Sequence, residues 1–268
     1  MNLECIFQKL WQDYTTQNPL AQIIHGLFTN RGEKVVNDHI AFRTFRDDRM
    51  NIDVLARPFI ENGYVPAGDY MFTDKHLSAR HFELPGQENS PRVFISELLL
   101  DEFSTGLQEH LRKSIDNADP GIWKSDDLIF SRNVFGMPSY DVYESLRAES
   151  EYAAWLYVHG FRANHFTVSV NSLEGFNGIA DVNEFLKDNG FLMNASGGEI
   201  KGSREQLLMQ SSTMAEIITL EFTEGTRQVP ACYYEFAERF EDVDGKLFSS
   251  FIAGSADKIF ESTDYYRE

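Results

Sequence analysis

The chain has 268 residues, 42% hydrophobic and 25% charged, with 24 basic against 42 acidic side chains and a formal net charge of −18. That length supports one large domain or two small ones, and the composition excludes a disordered chain. The acidity leaves no basic surface for nucleic acid or anionic membranes, so neither is expected as a partner.

The first predicted element is an N-terminal helix, where Leu3, Ile6, Phe7, Leu10, Trp11 and Tyr14 recur at helical spacing. The same stretch lacks the basic start and cleavage site of a signal peptide, and no run of 18 apolar residues predicts a membrane-spanning helix. Cys5 and Cys232 are too few for a disulfide framework or a cysteine zinc site. The expected location is therefore cytoplasmic.

Residues 39–45 read as a strand and 52–60 as a helix stopped by Asn62-Gly63. Strands are predicted at 79–84 and 92–98. Helical stripes follow at 101–115 (Phe103, Leu107, Leu111) and 141–157 (Val142, Leu146, Ala153). Residues 165–170 alternate strictly as a strand, and a helix at 179–186 ends in Asn189-Gly190. Strands are predicted again at 207–210, 217–222 and 231–236. The glycine-rich stretch 196–203 lacks P-loop spacing and reads as a hairpin or mobile loop.

The two halves repeat. Each opens with a histidine at the head of a strand, His39 and His165, and each helix ends in Asn-Gly followed by an aromatic, Tyr64 or Phe191. The expected fold is α+β, with paired βαβββ modules in one domain. Module one spans about 36–98, a helical insertion 99–160, module two 163–240 and a C-terminal segment 241–268.

Strand alternation puts His39, Ala41, Arg43 and Phe45 on one face, and His165, Thr167 and Ser169 on another. Glu235 shares a face with Tyr233 in a strand otherwise fit for burial, where a charge must be paired or bind a metal. Two histidines and one carboxylate form the ligand set of a mononuclear non-haem Fe(II) centre, with positions open for substrate and O₂. Each histidine also reads as a hydrogen-bonded structural residue, and Glu235 as an arginine's partner. His25, His76, His81, His110 and His159 read as structural or exposed.

The segments His39-Ile-Ala-Phe-Arg-Thr-Phe45, Val93-Phe-Ile-Ser-Glu-Leu98, Gly198-Glu-Ile-Lys-Gly-Ser203, Leu208-Met-Gln-Ser-Ser-Thr213, Cys232-Tyr-Tyr-Glu-Phe-Ala-Glu-Arg239 and Ala256-Asp-Lys-Ile-Phe-Glu-Ser-Thr263 resemble the 2-oxoadipate dioxygenase/decarboxylase family across nearly the whole chain. That family is similar to the vicinal oxygen chelate superfamily, whose paired modules curl around a metal. The resemblance implies Fe(II) held by His39, His165 and Glu235, with Arg43 holding a substrate carboxylate. It implies conversion of 2-oxoadipate and O₂ into 2-hydroxyglutarate and CO₂, in lysine catabolism. His39 and Arg43 lie roughly 13 Å apart along a strand, so metal and guanidinium would grip different ends of a dicarboxylate unless the strand bends. Phe42, Phe166 and Tyr233 are expected to keep the site dry.

Two other classes fit the same residues. A redox-neutral lyase, isomerase or hydrolase on this fold would use Zn²⁺, Mn²⁺ or Ni²⁺, metals that an iron protein can also carry as purified. It would complete its site with a fourth ligand, for which Glu97 is the candidate. A metal-free binding module would leave His39, His165 and Glu235 apart, each with protein hydrogen-bond partners. The sequence leaves the oligomeric state open.

Overall fold

The computed structural model describes residues 1–87, 89–252 and 254. The resembling motif at 256–263, and most of the expected C-terminal segment, lie outside the described residues. Two helices come first, α1 (Leu3–Gln17) and α2 (Pro19–Asn30). The Asn2 side chain caps α1 by accepting from the Cys5 amide, and Pro19 fits the first turn of α2, where its missing N–H costs nothing. Ile6, Leu10 and Tyr14 form the buried stripe of α1, as the periodicity predicts.

The first half then runs β1 (Asn37–Phe45), α3 (Ile52–Ile60), β2 (Val65–Phe72), β3 (Leu77–Glu83) and β4 (Arg92–Leu98). Three helices follow: α4 (Thr105–Asn117), α5 (Tyr140–Glu149) and α6 (Glu151–His159). The single helix expected over 141–157 is two, because the Ser150 side chain turns away to cap α6 at the Ala153 amide. The second half runs β5 (Ala163–Ser169), α7 (Ile179–Asp188), β6 (Lys201–Ser203), β7 (Leu208–Ser212), β8 (Ile217–Phe222), β9 (Gly225–Pro230) and β10 (Glu235–Arg239).

Eight strands form one sheet in the order β2-β3-β4-β1-β5-β10-β7-β6, which curls into a half-barrel. In the first half β1 pairs parallel with β4; in the second β5 pairs parallel with β10; β1 and β5 join the halves antiparallel. The strand at 217–222 belongs elsewhere. It pairs with β9 in a separate two-stranded sheet, because its alternation specifies a half-buried strand but not its partner. The last strand begins at Glu235 rather than 231. Residues before it bond to 213–216 through single backbone pairs instead of a continuous ladder.

Helices α1 and α3 cover one face of the sheet. Phe166 packs against Trp11 and Tyr14, with ring centroids 5.1 and 5.0 Å away, and Phe42 against Phe59 at 5.7 Å. Helix α6 is buried along its whole length from Tyr152 to His159, as an all-round apolar helix must be. Tyr152 Oη donates to the Ser96 carbonyl at 2.7 Å, and Trp155 Nε1 to that of Ala231 at 2.6 Å, fixing α6 to both halves. Gly160 ends α6 at φ +64°, where a Cβ would stand 2.0 Å from the Arg132 carbonyl oxygen. Only glycine permits this turn into β5.

Candidate metal centre

His39 lies in β1, His165 in β5 and Glu235 at the start of β10, three adjacent strands. Register sets them side by side: His39 is opposite Thr167, Thr167 opposite Glu235, and His165 opposite Ala41. One donor atom from each lies within 4.8 Å of the others. His165 Nε2 is 3.1 Å from Glu235 Oε2, His39 Nε2 is 3.5 Å from Oε1, and the two Nε2 atoms are 3.4 Å apart. None of the three residues is more than 4% exposed.

The outer nitrogens decide what the inner ones can do. His39 Nδ1 donates to Asp38 Oδ1 at 2.8 Å, and His165 Nδ1 to Asn164 Oδ1 at 3.0 Å. Both Nε2 atoms of the neutral rings therefore face inward as lone pairs. Thr167 Oγ1 lies 3.1 Å from His39 Nε2, and Gln210 Nε2 donates to Glu235 Oε1 at 2.6 Å. Glu235 Oε2 receives no hydrogen bond among the described residues. Two imidazole lone pairs and a carboxylate oxygen converging in a dry site repel one another unless a cation or proton stands between them.

The electrostatics agree. Burial pushes the Glu235 carboxyl up to about 8, against the lowering hydrogen bond from Gln210. Burial lowers His39 despite the hydrogen bond and charge of Asp38, and lowers His165 well below the ordinary histidine range, helped by His39 and Arg43. Burial alone would raise Asp38, but the Arg239 guanidinium and the His39 hydrogen bond hold its carboxyl well below the carboxylate range. Asp38 is thus a fixed anion behind His39. The donor set fits a divalent ion.

Arg43, 2% exposed, lies across the rings of Tyr152 and Trp155 at 5.0 and 4.9 Å. Its charge acts on both His165 and Tyr233, and Tyr233 stacks on the His165 ring with centroids 4.8 Å apart. Arg43 and the cage therefore share one compartment. The irregularity between them is on the neighbouring strand: β5 carries an extra residue, Asn164, opposite the Ala41–Phe42 step, whereas β1 keeps unbroken register with β4 from His39 to Phe45. Of the residues expected to keep the site dry, only Tyr233 is there. Phe42 and Phe166 point to the opposite face, because each alternates with a residue of the cage strands.

Glu97 is not a ligand. Its carboxylate accepts from Arg46 Nε at 2.8 Å, Ser78 Oγ at 2.9 Å and the Ile52 amide at 3.2 Å, on the α3 side of the sheet. His76 pairs with Glu102, His81 with Tyr70 and Glu83, and His159 donates to the Pro230 carbonyl. Sequence reasoning passed over Asp38, Asn164, Gln210, Arg239 and Phe251, which surround the cage. One signal was available: each half places an Asx residue directly before its histidine, Asp38-His39 and Asn164-His165.

The sequence matches the 2-oxoadipate dioxygenase/decarboxylase family over residues 9–124 and 129–247. The chain belongs to that family. A rice (Oryza sativa subsp. japonica) chloroplastic/amyloplastic 2-oxoadipate dioxygenase/decarboxylase is 37% identical over 279 residues, covering 93% of this chain and 75% of the relative. The crystal structure of a rice hydroxyglutarate synthase in complex with 2-oxoadipate superposes with a TM-score of 0.90 at 36% identity, covering 97% of this chain and 91% of that one. A Shewanella frigidimarina structure provisionally labelled a hydrolase is 47% identical with a TM-score of 0.88, covering 93% and 97%. A Ralstonia eutropha protein provisionally placed in the glyoxalase superfamily shares the fold, with a TM-score of 0.74 at 21% identity over 91% and 84% of the chains. The expected α+β architecture with a curved sheet is therefore observed, and it is the fold of the Ralstonia protein.

The cytoplasmic expectation is contradicted. The curated relatives from rice and Arabidopsis thaliana are named as chloroplastic proteins. A low cysteine count is shared by reducing compartments generally and does not distinguish among them. Among the described residues, no helix is long and apolar enough to cross a membrane.

Proposed function

We propose that this member of the 2-oxoadipate dioxygenase/decarboxylase family converts 2-oxoadipate and O₂ into 2-hydroxyglutarate and CO₂, a step of lysine catabolism, using Fe(II) held by His39, His165 and Glu235. The observation that carries the reading is the convergence of two imidazole lone pairs and one carboxylate within 4.8 Å in a buried site. A bound Fe(II) ion would supply Lewis acidity toward a 2-oxo acid and the electron transfers that O₂ chemistry requires. The overall reaction balances: the substrate loses its first carboxyl as CO₂, its keto carbon becomes a carboxylate, the adjacent carbon gains a hydroxyl, and both atoms of O₂ enter the product.

The chain's own groups orient and exclude. Asp38 and Asn164 keep both histidines in the tautomer that presents Nε2. Arg43 is suited to bind a substrate carboxylate as a bidentate fork, and its stacking on Tyr152 and Trp155 fixes the guanidinium before substrate arrives. Tyr233 covers one face of His165 and keeps water from it. The buried Cys232 thiol, pushed up to about 12 by burial, stays protonated and out of the chemistry. We also propose that the chain is a single domain of two duplicated modules. Support comes from the matching element orders, in which β1-α3-β2-β3-β4 and β5-α7-β6-β7-β10 give mirrored strand orders meeting at the β1–β5 pair.

The test is product identity. Fe(II)-loaded protein given 2-oxoadipate in air should form 2-hydroxyglutarate, detected by mass spectrometry, and none without O₂. Consumption of a 2-oxo acid without O₂ would point instead to redox-neutral chemistry.

A further inference from the structure

Arg239, the last residue of β10, is 3% exposed and divides its guanidinium between two neighbours. Its Nε and Nη2 donate to the two oxygens of Asp38 at 2.7 and 2.9 Å, and Nη1 donates to the carbonyls of Phe248 at 2.9 Å and Ser250 at 2.7 Å. Asp38 in turn receives the Nδ1–H of His39. One planar group therefore links residues 248–252 to a proposed metal ligand through three hydrogen-bonded steps, from the segment's carbonyls to Arg239, from Arg239 to Asp38 and from Asp38 to His39.

The same segment also touches that ligand directly. The Phe251 ring meets the His39 ring edge-on with centroids 4.8 Å apart, and the Arg239 guanidinium lies over Phe251 at 5.0 Å. Phe251 is 8% exposed, packed against Phe94 at 4.9 Å and His81 at 5.3 Å in the first half of the sheet. Tyr70 pins the other side: its hydroxyl accepts from the Phe251 amide at 3.1 Å, lies 2.7 Å from Ser250 Oγ and 2.8 Å from His81 Nδ1. A ring inserted this deeply is part of the compartment wall.

We infer that Arg239 is a positioning residue that couples the seating of residues 248–252 to the orientation of the metal ligand His39. The inference rests on the metal reading above. Lifting the segment removes two acceptors and a stacked ring from a buried guanidinium, which loosens its hold on Asp38 and so on the His39 ring. The coupling is reciprocal: whatever factor the seated segment adds to metal affinity, a bound ion adds to the stability of the seat.

The experiment uses the full chain with Mn²⁺ as probe, Kd by calorimetry, and hydrogen exchange read at the Phe251 amide. Mn²⁺ should slow that exchange in the wild type. Tyr70→Phe touches neither Arg239 nor a ligand; it should speed exchange and weaken Mn²⁺ binding roughly tenfold, as loss of a supporting residue does. Arg239→Lys should weaken binding at least as much and abolish the Mn²⁺-dependent slowing. If that variant does not fold, Tyr70→Phe decides the matter alone. Mn²⁺ binding with unchanged exchange, or equal affinity in wild type and Tyr70→Phe, would overturn the coupling while leaving the metal reading intact. No Mn²⁺ binding by the wild type would overturn the metal reading and the coupling with it.

Discussion

Replacing Arg43 with lysine keeps the charge and removes the shape. The guanidinium is 2% exposed and lies on two aromatic faces at 5.0 and 4.9 Å, a setting that fixes its plane. A lysine ammonium is a point charge with no fork, and it cannot satisfy both oxygens of a carboxylate in one plane. A charge-assisted hydrogen bond contributes about 1.5–3 kcal/mol, so losing one arm of the fork should weaken 2-oxoadipate binding by a factor of roughly 10 to 150. The metal site should be spared, because Asp38 and Asn164 orient the two histidine rings, and the lysine ammonium keeps the positive charge that Arg43 places near His165. The assay is calorimetric titration of anaerobic, Mn²⁺-loaded Arg43→Lys with 2-oxoadipate, beside titration of the apo variant with Mn²⁺. The expected pattern is a Mn²⁺ affinity within about twofold of wild type and a large loss for substrate. Equal losses for metal and substrate would refute the carboxylate role and make Arg43 a structural support of His165.

Three further outcomes are expected. His165→Ala should fold but lose Mn²⁺ affinity by more than the roughly 10–100-fold that removal of a supporting residue costs, measured by calorimetry; retained affinity would remove His165 from the ligand set. Glu97→Gln should leave Mn²⁺ affinity unchanged while lowering unfolding free energy in urea by about 1–2 kcal/mol, since its partners are Arg46, Ser78 and the Ile52 amide. His159 is buried, and burial lowers its pKa from 6.5 to about 3, so only the unfolded chain takes up its proton as pH falls below 6.5. Stability from this group is complete above pH 6.5 and is lost toward pH 3. Between pH 7 and 5.5 the wild type should lose about 1.3 kcal/mol more than His159→Gln, whose amide can still donate to Pro230; equal losses would show that His159 titrates normally.

Much of the site was legible because strand alternation is local. His39, His165 and Glu235 each sit in a short apolar run where period-two patterning fixes the face, and the bounds of α3 and β4 follow from equally local signals. What failed depends on partners far along the chain. Strand β2 carries Pro66 and Gly68 and is largely exposed at the edge of the sheet, so it has no buried alternation to detect. The residues 217–222 have strand patterning, yet nothing local says that they pair with 225–230 rather than join the eight-stranded sheet. Phe42 and Phe166 were placed at the site by their aromatic character although the alternation that put the histidines there sends them to the other face. Phe251 reaches His39 across 212 positions of sequence with no motif to announce it.

The central claim is that the cage of His39, His165 and Glu235 binds iron and couples O₂ to loss of a carboxyl group. Its most direct measurement is simultaneous O₂ uptake and CO₂ release after anaerobic Fe(II) reconstitution, addition of 2-oxoadipate and admission of air. One CO₂ should leave for each O₂ consumed, with both signals absent in Glu235→Ala. Absence of O₂-dependent CO₂ release from the iron-loaded wild type, across 2-oxoadipate and a panel of other 2-oxo acids, would contradict it.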